Sequence, residues 1–424
     1  MLLRRFLRNC DGGAAPFLAL SLIPVMGLTG AAIDYSRASA TRTALQAAVD
    51  ATGLMLSKEA AVLSQDDLGS RVQAIFTAQF NRPEAYGVSI SHSFSAPQQG
   101  SFALRLTAQA YVPARFASLI GTSELPVAAT SEILWGIKRL NLALALDVTG
   151  SMASSGKMAA LKLAAHNLLD TLEQAAKKPD DIKVSIVPFS TDVNVGTHNV
   201  NADWLDWDQW ENANGTCSTS SYKTRSACVN AGRKWTVALR STWNGCVWDR
   251  DQNFDIQTTP PAASQSTKFR TNQASHCPVA MQPLTADWAM LHAKVDEMAP
   301  TGNTNVTIGM AWAWQTLAPV APLHAPEPDI DLDKVIILLT DGQNTQNRFS
   351  TSRSSIDSRT EKACSNAKAA NIRIYTVRVV DGNANLLRNC ATKPDMFYDV
   401  QDAVQLNSVF SSIAQNLANL RIAK

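Results

Sequence analysis

Three patterns of apolar and polar positions follow one another along the chain. Gly12 to Ile33 contains no charged residue, and about 20 residues rising about 1.5 Å each cover the roughly 30 Å hydrocarbon core of a bilayer. A transmembrane helix is therefore expected over 13–33, with residues 1–12 ahead of it. The Ala-rich stretch from Asp34 to about Leu63 has few Gly or Pro residues and continues that helix; Asp66 to Phe80 reads as a second one. Strict alternation then begins at Val88, Ile90, His92 and Phe94. It resumes at Phe102, Leu104, Leu106, Ala108 and Ala110, after a turn at Ser95 to Gly100. Period-two patterning with one apolar face predicts half-buried antiparallel strands. Residues 34–135 are thus expected to form a helix plus a small α+β module.

The pattern changes at Arg139. Leu140 to Leu146, Ile182 to Phe189, Val335 to Leu339 and Ile372 to Val380 are near-continuous apolar runs. Met158, Leu161, Ala165, Leu168 and Leu172 recur at helical spacing, as do Leu406, Val409, Ile413, Leu417 and Leu420. Buried strands alternating with amphipathic helices predict an α/β fold with a doubly wound, mainly parallel sheet over 136–424. The periodicity lapses across 194–283, where Trp204, Trp207, Trp210, Trp235, Trp243 and Trp248 lie among four cysteines. A structureless loop of that length is improbable inside a compact domain. A Cys-rich insertion stapled by disulfides is expected instead. Its tryptophans should pack against those disulfides in preference to forming a sugar- or partner-binding platform.

At 424 residues the chain has room for two or three domains. Its net charge of +2, with no basic run beyond the N-terminus, argues against a nucleic-acid binder working by bulk electrostatics. Arg4, Arg5 and Arg8 precede the apolar segment, so the N-terminus stays cytoplasmic and the remainder is exported. A cleaved signal peptide ending near Thr29-Gly30-Ala31 is the alternative, but the apolar segment is long and continues into helix-compatible sequence. Beyond it, Cys217, Cys228, Cys246, Cys277, Cys364 and Cys390 form an even set with no C-x-x-C pair, which points to disulfides in an oxidising compartment. Cys364 and Cys390 are expected to pair with each other. The other four allow three pairings.

Candidate chemistry gathers at strand ends, where open α/β sheets bind their ligands. Asp147-Val148-Thr149-Gly150-Ser151 follows one apolar run, Thr340-Asp341-Gly342 follows another, and Gly302-Asn303-Thr304-Asn305 supplies a further hydroxyl. Asp147, Thr149, Ser151, Thr304 and Asp341 together make a hard-oxygen set suited to Mg²⁺, or to Mn²⁺ or Ca²⁺. The plainer alternative is that Asp147 caps a helix and the hydroxyls satisfy loop backbone. Catalytic readings fare worse. Val148 breaks an aspartic-protease D-T-G-S, there is no G-x-x-x-x-G-K-[ST], no G-x-S-x-G elbow and no H-E-x-x-H, and the six histidines are scattered. Asp249 to Asp255 begins like a calcium loop, but Phe254 stands at the required Gly and Pro260 at the bidentate acid. That segment is expected to be a polar turn.

The D-x-T-x-S, Thr and T-D-G segments, in that order, resemble the metal-ion-dependent adhesion site of von Willebrand factor A domains, with Thr149 in place of the commoner Ser. The whole chain resembles the TadG-type members of the Tad/Flp pilus-assembly proteins. The resemblance rests on Ala31-Ala32-Ile33-Asp34-Tyr35-Ser36-Arg37 behind the apolar segment, on the A-domain core, and on Gly245-Cys246-Val247-Trp248-Asp249-Arg250 in the insertion. Cys364, Cys390 and the closing Leu420-Arg421-Ile422 complete it. It implies a Rossmann-like von Willebrand A domain in a single-pass bacterial inner-membrane protein whose bulk is periplasmic. Its implied role is non-enzymatic, in pilus assembly or adhesion, with pilus subunits or other assembly proteins as partners. One of them would supply a carboxylate to the metal. A minor pilin-like subunit and a periplasmic metal-dependent hydrolase are the rivals. Where pilin-like precursors carry Glu, this chain, counted from Gly12 or Gly13, has Pro16 or Phe17, which argues against processing and packing into a filament.

Overall fold

A computed structural model of the chain describes residues 14–56, 63, 65–95, 101–136, 139–176, 178–327 and 332–420. Arg4, Arg5, Arg8, Cys10, Gly12, Gly13, positions 96–100 of the turn, Arg421 and Ile422 lie outside the described residues. The chain divides after Gly136 into two compact units.

In the first unit, α1 (Ala14–Leu56) is one helix of 43 residues, running unbroken from the apolar segment into the Ala-rich stretch. Phe17, Leu18, Leu20, Val25, Met26 and Leu28 all stand exposed on it. The second half of α1 is buried on one side. Leu45, Ala48, Val49 and Leu56, with Leu68, Val72 and Phe76 of α2 (Gln65–Gln79), cover Leu104, Leu106, Ala108, Ala110 and Val112. Those residues alternate along β2 (Ser101–Pro113), the central strand between β1 (Tyr86–Ser95) and β3 (Glu124–Gly136), and both pairings are antiparallel. The alternation of β1 is only weakly used, because Val88 and His92 remain exposed on this edge strand. β3 was not evident from the pattern; Val127 and Ala129 are its buried residues. Asp34 ties α1 to the β2–β3 loop by accepting the N–H groups of Arg115, Phe116 and Ala117 at 3.0, 2.8 and 2.8 Å. Gly30, one turn earlier, permits the approach, since a Cβ there would sit 2.4 Å from that of Phe116.

The second unit is built on a ten-stranded sheet. Its parallel core comprises β4 (Arg139–Asp147), β5 (Ile182–Phe189), β13 (Leu332–Thr340), β14 (Arg373–Val379) and β15 (Phe397–Val400), in the order β15-β14-β13-β4-β5. Leu142, Leu144 and Leu146 face one layer, which contains α3 (Lys157–Ala175). Ala143 and Ala145 face the other.

The insertion does not stand apart. Its two- and three-residue strands β6 (Val193–Asn194), β7 (Leu205–Asp206), β10 (Cys246–Trp248) and β11 (Phe269–Thr271) extend the sheet past β5 as β6-β10-β11-β7, and β12 (Gln282–Thr285) pairs antiparallel with β5. Strands β8 (Gly215–Cys217) and β9 (Trp235–Val237) make a separate hairpin, and α4 (Asp208–Ala213) and α5 (Arg225–Asn230) are helices of six residues. Helices α6 (Trp288–Glu297), α7 (Val306–Leu317), α8 (Arg353–Ala369), α9 (Ala384–Cys390) and α10 (Leu406–Leu420) complete the two layers. Disulfides join Cys217 to Cys228, Cys246 to Cys277 and, as expected, Cys364 to Cys390.

Trp204, Trp207, Trp210 and Trp243 differ from expectation, whereas Trp235 stands opposite the disulfide-bonded Cys217 in the β8–β9 pair. Trp207 packs edge-on against Trp210 and Trp243, with ring centroids 5.3 Å apart in both pairs. Trp204 meets Phe269 and Trp312 of α7. They join the main core and one another, because large aromatic faces bury more area than disulfide sulfurs offer.

Candidate metal centre

Parallel strands β4 and β13 are neighbours, yet the chain leaves them for helices on opposite layers. That is the switch point at which such sheets open a crevice. Asp147 ends β4 and is fully buried. Its Oδ1 accepts the Thr149 N–H at 2.8 Å and its Oδ2 accepts the Thr340 hydroxyl at 2.5 Å. Thr149 Oγ1 lies 3.0 Å from Ser151 Oγ, and the Ser151 hydroxyl donates to Asp341 Oδ1 at 2.6 Å. The Thr304 loop is fastened beside them: Gly150 N–H donates to Gly302 O at 3.0 Å, and Thr304 N–H to Thr345 Oγ1 at 2.9 Å. A Cβ on Gly342 would stand 3.1 Å from Thr304 Oγ1 and 3.6 Å from Ser151 Oγ. Segments up to about 190 residues apart thus bring all five expected residues to one place.

Electrostatics add a residue that the pattern did not suggest. Lys157 opens α3, where a helix dipole disfavours a cation. Its nearly buried ammonium lies 2.9 Å from Asp341 Oδ2 and 3.4 Å from the exposed Asp381. Burial pulls the Lys157 pKa down, but its bonds to the Asp341 and Asp381 carboxylates outweigh this and leave it raised. Asp147 is pushed up to about 6, first by burial and then by the charge of Asp341, against the opposing bonds from Thr149 and Thr340.

The donors fit a hard divalent cation. Two carboxylates and three hydroxyls are the oxygen chemistry that Mg²⁺ takes. The 3.0 Å between Thr149 and Ser151 oxygens matches the edge of an octahedron with bonds of about 2.1 Å, which is about 3 Å. Both oxygens of Asp147 and of Asp341 accept hydrogen bonds within the crevice, so each carboxylate shapes the loops as well as offering charge to an ion.

The segment expected to be a polar turn is partly buried structure. Asp249 is buried and accepts from Asn305 Nδ2 at 3.1 and 3.0 Å and from Arg348 N–H at 3.2 Å. Asn305 follows Thr304 directly and caps α7. Asp251 pairs with Arg270 and Arg348, and Asp255 with Arg359. These carboxylates face arginines and an amide, not one another's ion, and they lock the insertion to the Thr304 loop. Beside that loop lies a polar cleft of about 260 Å³, lined by Asp192, Asn272, His276, Asn303, Gln346 and Arg348 among others. Nothing in the sequence spacing pointed to Lys157 or this cleft; Asp249 stood out only as the head of the apparent calcium loop, with no local signal for its bonds to Asn305.

Residues 12–55 match the family described as putative Flp pilus-assembly TadE/G-like, and residues 253–412 match the von Willebrand factor type A domain. This pairing is that of a TadG-type protein. The second match begins inside the insertion, so β4, β5 and the D-x-T-x-S loop join the A fold through the sheet topology. No curated protein matches. Among solved structures, the chain is similar to the pilus adhesin SpaC of Lactobacillus rhamnosus GG, at 13% identity over 80% of this chain and 35% of that one, with a TM-score of 0.37. It is also similar to the vWF domain of the type V pilus tip protein Mfa5 of Porphyromonas gingivalis (11% identity, 68% and 97% covered, TM-score 0.40). A third is the proximal thread matrix protein 1 of the mussel byssus (13%, 66% and 46%, TM-score 0.35). The chain spans less than half the length of the Lactobacillus and mussel proteins.

Proposed function

We propose that this TadG-type chain is a non-enzymatic component of Tad/Flp pilus assembly or adhesion, anchored in the bacterial inner membrane by α1. Its N-terminus is cytoplasmic and its A domain periplasmic. The A domain docks an acidic partner, a pilus subunit or another assembly protein, through a divalent cation held by Asp147, Thr149, Ser151, Thr304 and Asp341. The convergence of these five residues in the crevice between β4 and β13 carries the reading, and the polar cleft beside Thr304 offers the partner a surface. When bound, Mg²⁺ supplies an electrophilic position that a partner carboxylate can fill. Around it, Ser151 and Asp341 fix each other, and Asp249 holds Asn305 and thereby Thr304 in place.

The test is calorimetric titration of Mg²⁺ and Mn²⁺ into the detergent-solubilised full chain and its Asp147→Ala variant. Saturable 1:1 binding that weakens at least tenfold in the variant is expected. Equal binding to both, or none to either, overturns the metal reading. Crosslinking from Asn303 in intact cells, with and without chelator, then tests the docking role: the same crosslinks in both conditions would remove the cation from it.

A further inference from the structure

Helices α3 and α6 lie side by side on one face of the A domain. Leu291 and Val295 share a core with Leu161, Ala165 and Leu168, and Lys162 Nζ donates to Asp296 O at 2.8 Å. Along the outer edge of this seam, α3 presents His166, Asp170 and Glu173, and α6 presents His292 and Asp296. The two imidazoles, 126 positions apart in sequence, lie side by side with centroids 4.9 Å apart and planes 6° from parallel. Their Nδ1 atoms are 2.6 Å apart, His166 Nε2 lies 3.0 Å from Asp296 Oδ1, and His292 Nε2 lies 3.4 Å from Asp170 Oδ1. Ligand atoms of Asp170, Glu173 and His292 all fall within 4.8 Å of one another.

With both imidazoles neutral, the proton order along this chain of groups is fixed. Asp296 accepts, so His166 carries its proton on Nε2 and offers a lone pair at Nδ1. That lone pair requires the His292 proton to be on Nδ1. His292 Nε2 then points a second lone pair at the Asp170 and Glu173 carboxylates, an arrangement that a cation between them relieves. A metal-ligating histidine ordinarily donates its other N–H to a fixed acceptor, and His166 backed by Asp296 is such an acceptor.

We propose that His292 Nε2, Asp170 and Glu173 form a second metal site, selective for a borderline first-row ion such as Zn²⁺. His166 and Asp296 act as its outer positioning pair. One imidazole and two carboxylates with an open fourth position is a donor set for Zn²⁺ rather than for Mg²⁺. Tetrahedral ligands about 2.0 Å from an ion are about 3.3 Å apart, so the exposed Asp170 and Glu173 need only small rotamer changes to close on it. The ion would tie α3, whose first residue is the Asp341 partner Lys157, to α6, which leads into the Thr304 loop. This site is independent of the first.

The test uses the full chain without a polyhistidine tag, in the Asp147→Ala background so that the first centre is removed. Equilibrium dialysis against Zn²⁺ should give one ion per chain, and Co²⁺ should give the visible absorption of a low-coordinate N/O site. His292→Gln and Glu173→Gln should each weaken Zn²⁺ binding at least tenfold and remove the Zn²⁺-dependent rise in melting temperature, with unchanged circular dichroism. Equal Zn²⁺ affinity in the parent and both variants overturns the proposal. So does a parent that binds none.

Discussion

Lys157 changes what the five oxygen donors mean. A bare pair of buried carboxylates would repel each other, and the pKa of about 6 at Asp147 records part of that cost. The ammonium 2.9 Å from Asp341 compensates one of the two charges and lets the crevice stay folded without a cation. The same charge opposes an incoming ion. Replacing Lys157 with Gln should therefore raise Mg²⁺ affinity about tenfold in calorimetry. It should also lower stability by roughly 3 kcal/mol without metal, as expected when one partner of a buried pair is lost. Unchanged Mg²⁺ affinity would show that Lys157 neutralises Asp341 without guarding the site. A second residue acts through shape alone. A Cβ on Gly309 of α7 would lie 2.4 Å from the Phe189 ring of β5. Gly309→Ala should cost about 1–3 kcal/mol by overpacking, read as a lower denaturation midpoint with an unchanged slope.

At the scale of elements, the insertion is a brace for the Thr304 loop, and the buried acids in and beside it make that brace sensitive to pH. Asp249 and Asp192 are both pushed up to about 6, chiefly by burial. The folded protein therefore holds protons that the unfolded chain releases between about pH 4 and pH 6. Their contribution to stability is greatest below about pH 4, falls as pH rises through the window and is flat above it. Asp249→Asn should flatten the stability–pH profile between pH 4 and pH 7 by about 3 kcal/mol, measured as the difference between parent and variant denaturation curves. Parallel curves would mean that Asp249 stays ionised throughout. The parallel core strands and the long helices were legible because apolar runs such as Leu140–Leu146 and the spacing from Met158 to Leu172 extend over several residues. The strands of the insertion were not, since two or three residues set no period, and Val193, Val247 and Phe269 owe their burial to the β5 edge and α7 rather than to local pattern. The five oxygen donors were legible because each closes or follows an apolar run or a Gly turn. Lys157 and Asp249 contribute through partners about 184 and 56 positions away, which no local spacing encodes.

At the scale of the whole molecule, the apolar first half of α1 and its capped second half make separate demands. Phe17, Leu18, Leu20, Val25, Met26 and Leu28 are exposed together on a helix long enough to cross a bilayer, so they need an apolar surround that the described residues do not supply. A spanning helix inserts in an effectively irreversible way, unlike an interfacial one. From Asp34 onward the helix is instead held by the N–H groups of residues 115–117 and by the packing of Leu45 and Val49. A chain lacking residues 1–33 keeps Asp34 and everything that its carboxylate binds. It should therefore fold with its three disulfides when exported and appear in the soluble fraction. The full chain should stay with membranes through an alkaline carbonate wash, with an intact first segment by mass. Carbonate release of the full chain, or membrane retention of the shortened one, would refute anchoring by α1. A mature chain beginning beyond Gly13 would point to the filament subunit instead. The Gly30 and Phe116 contact gives the boundary a check of its own. Gly30→Leu should loosen the β2–β3 loop, seen as faster hydrogen exchange at residues 115–117, while membrane retention is unchanged, because an added Leu leaves the apolar segment apolar.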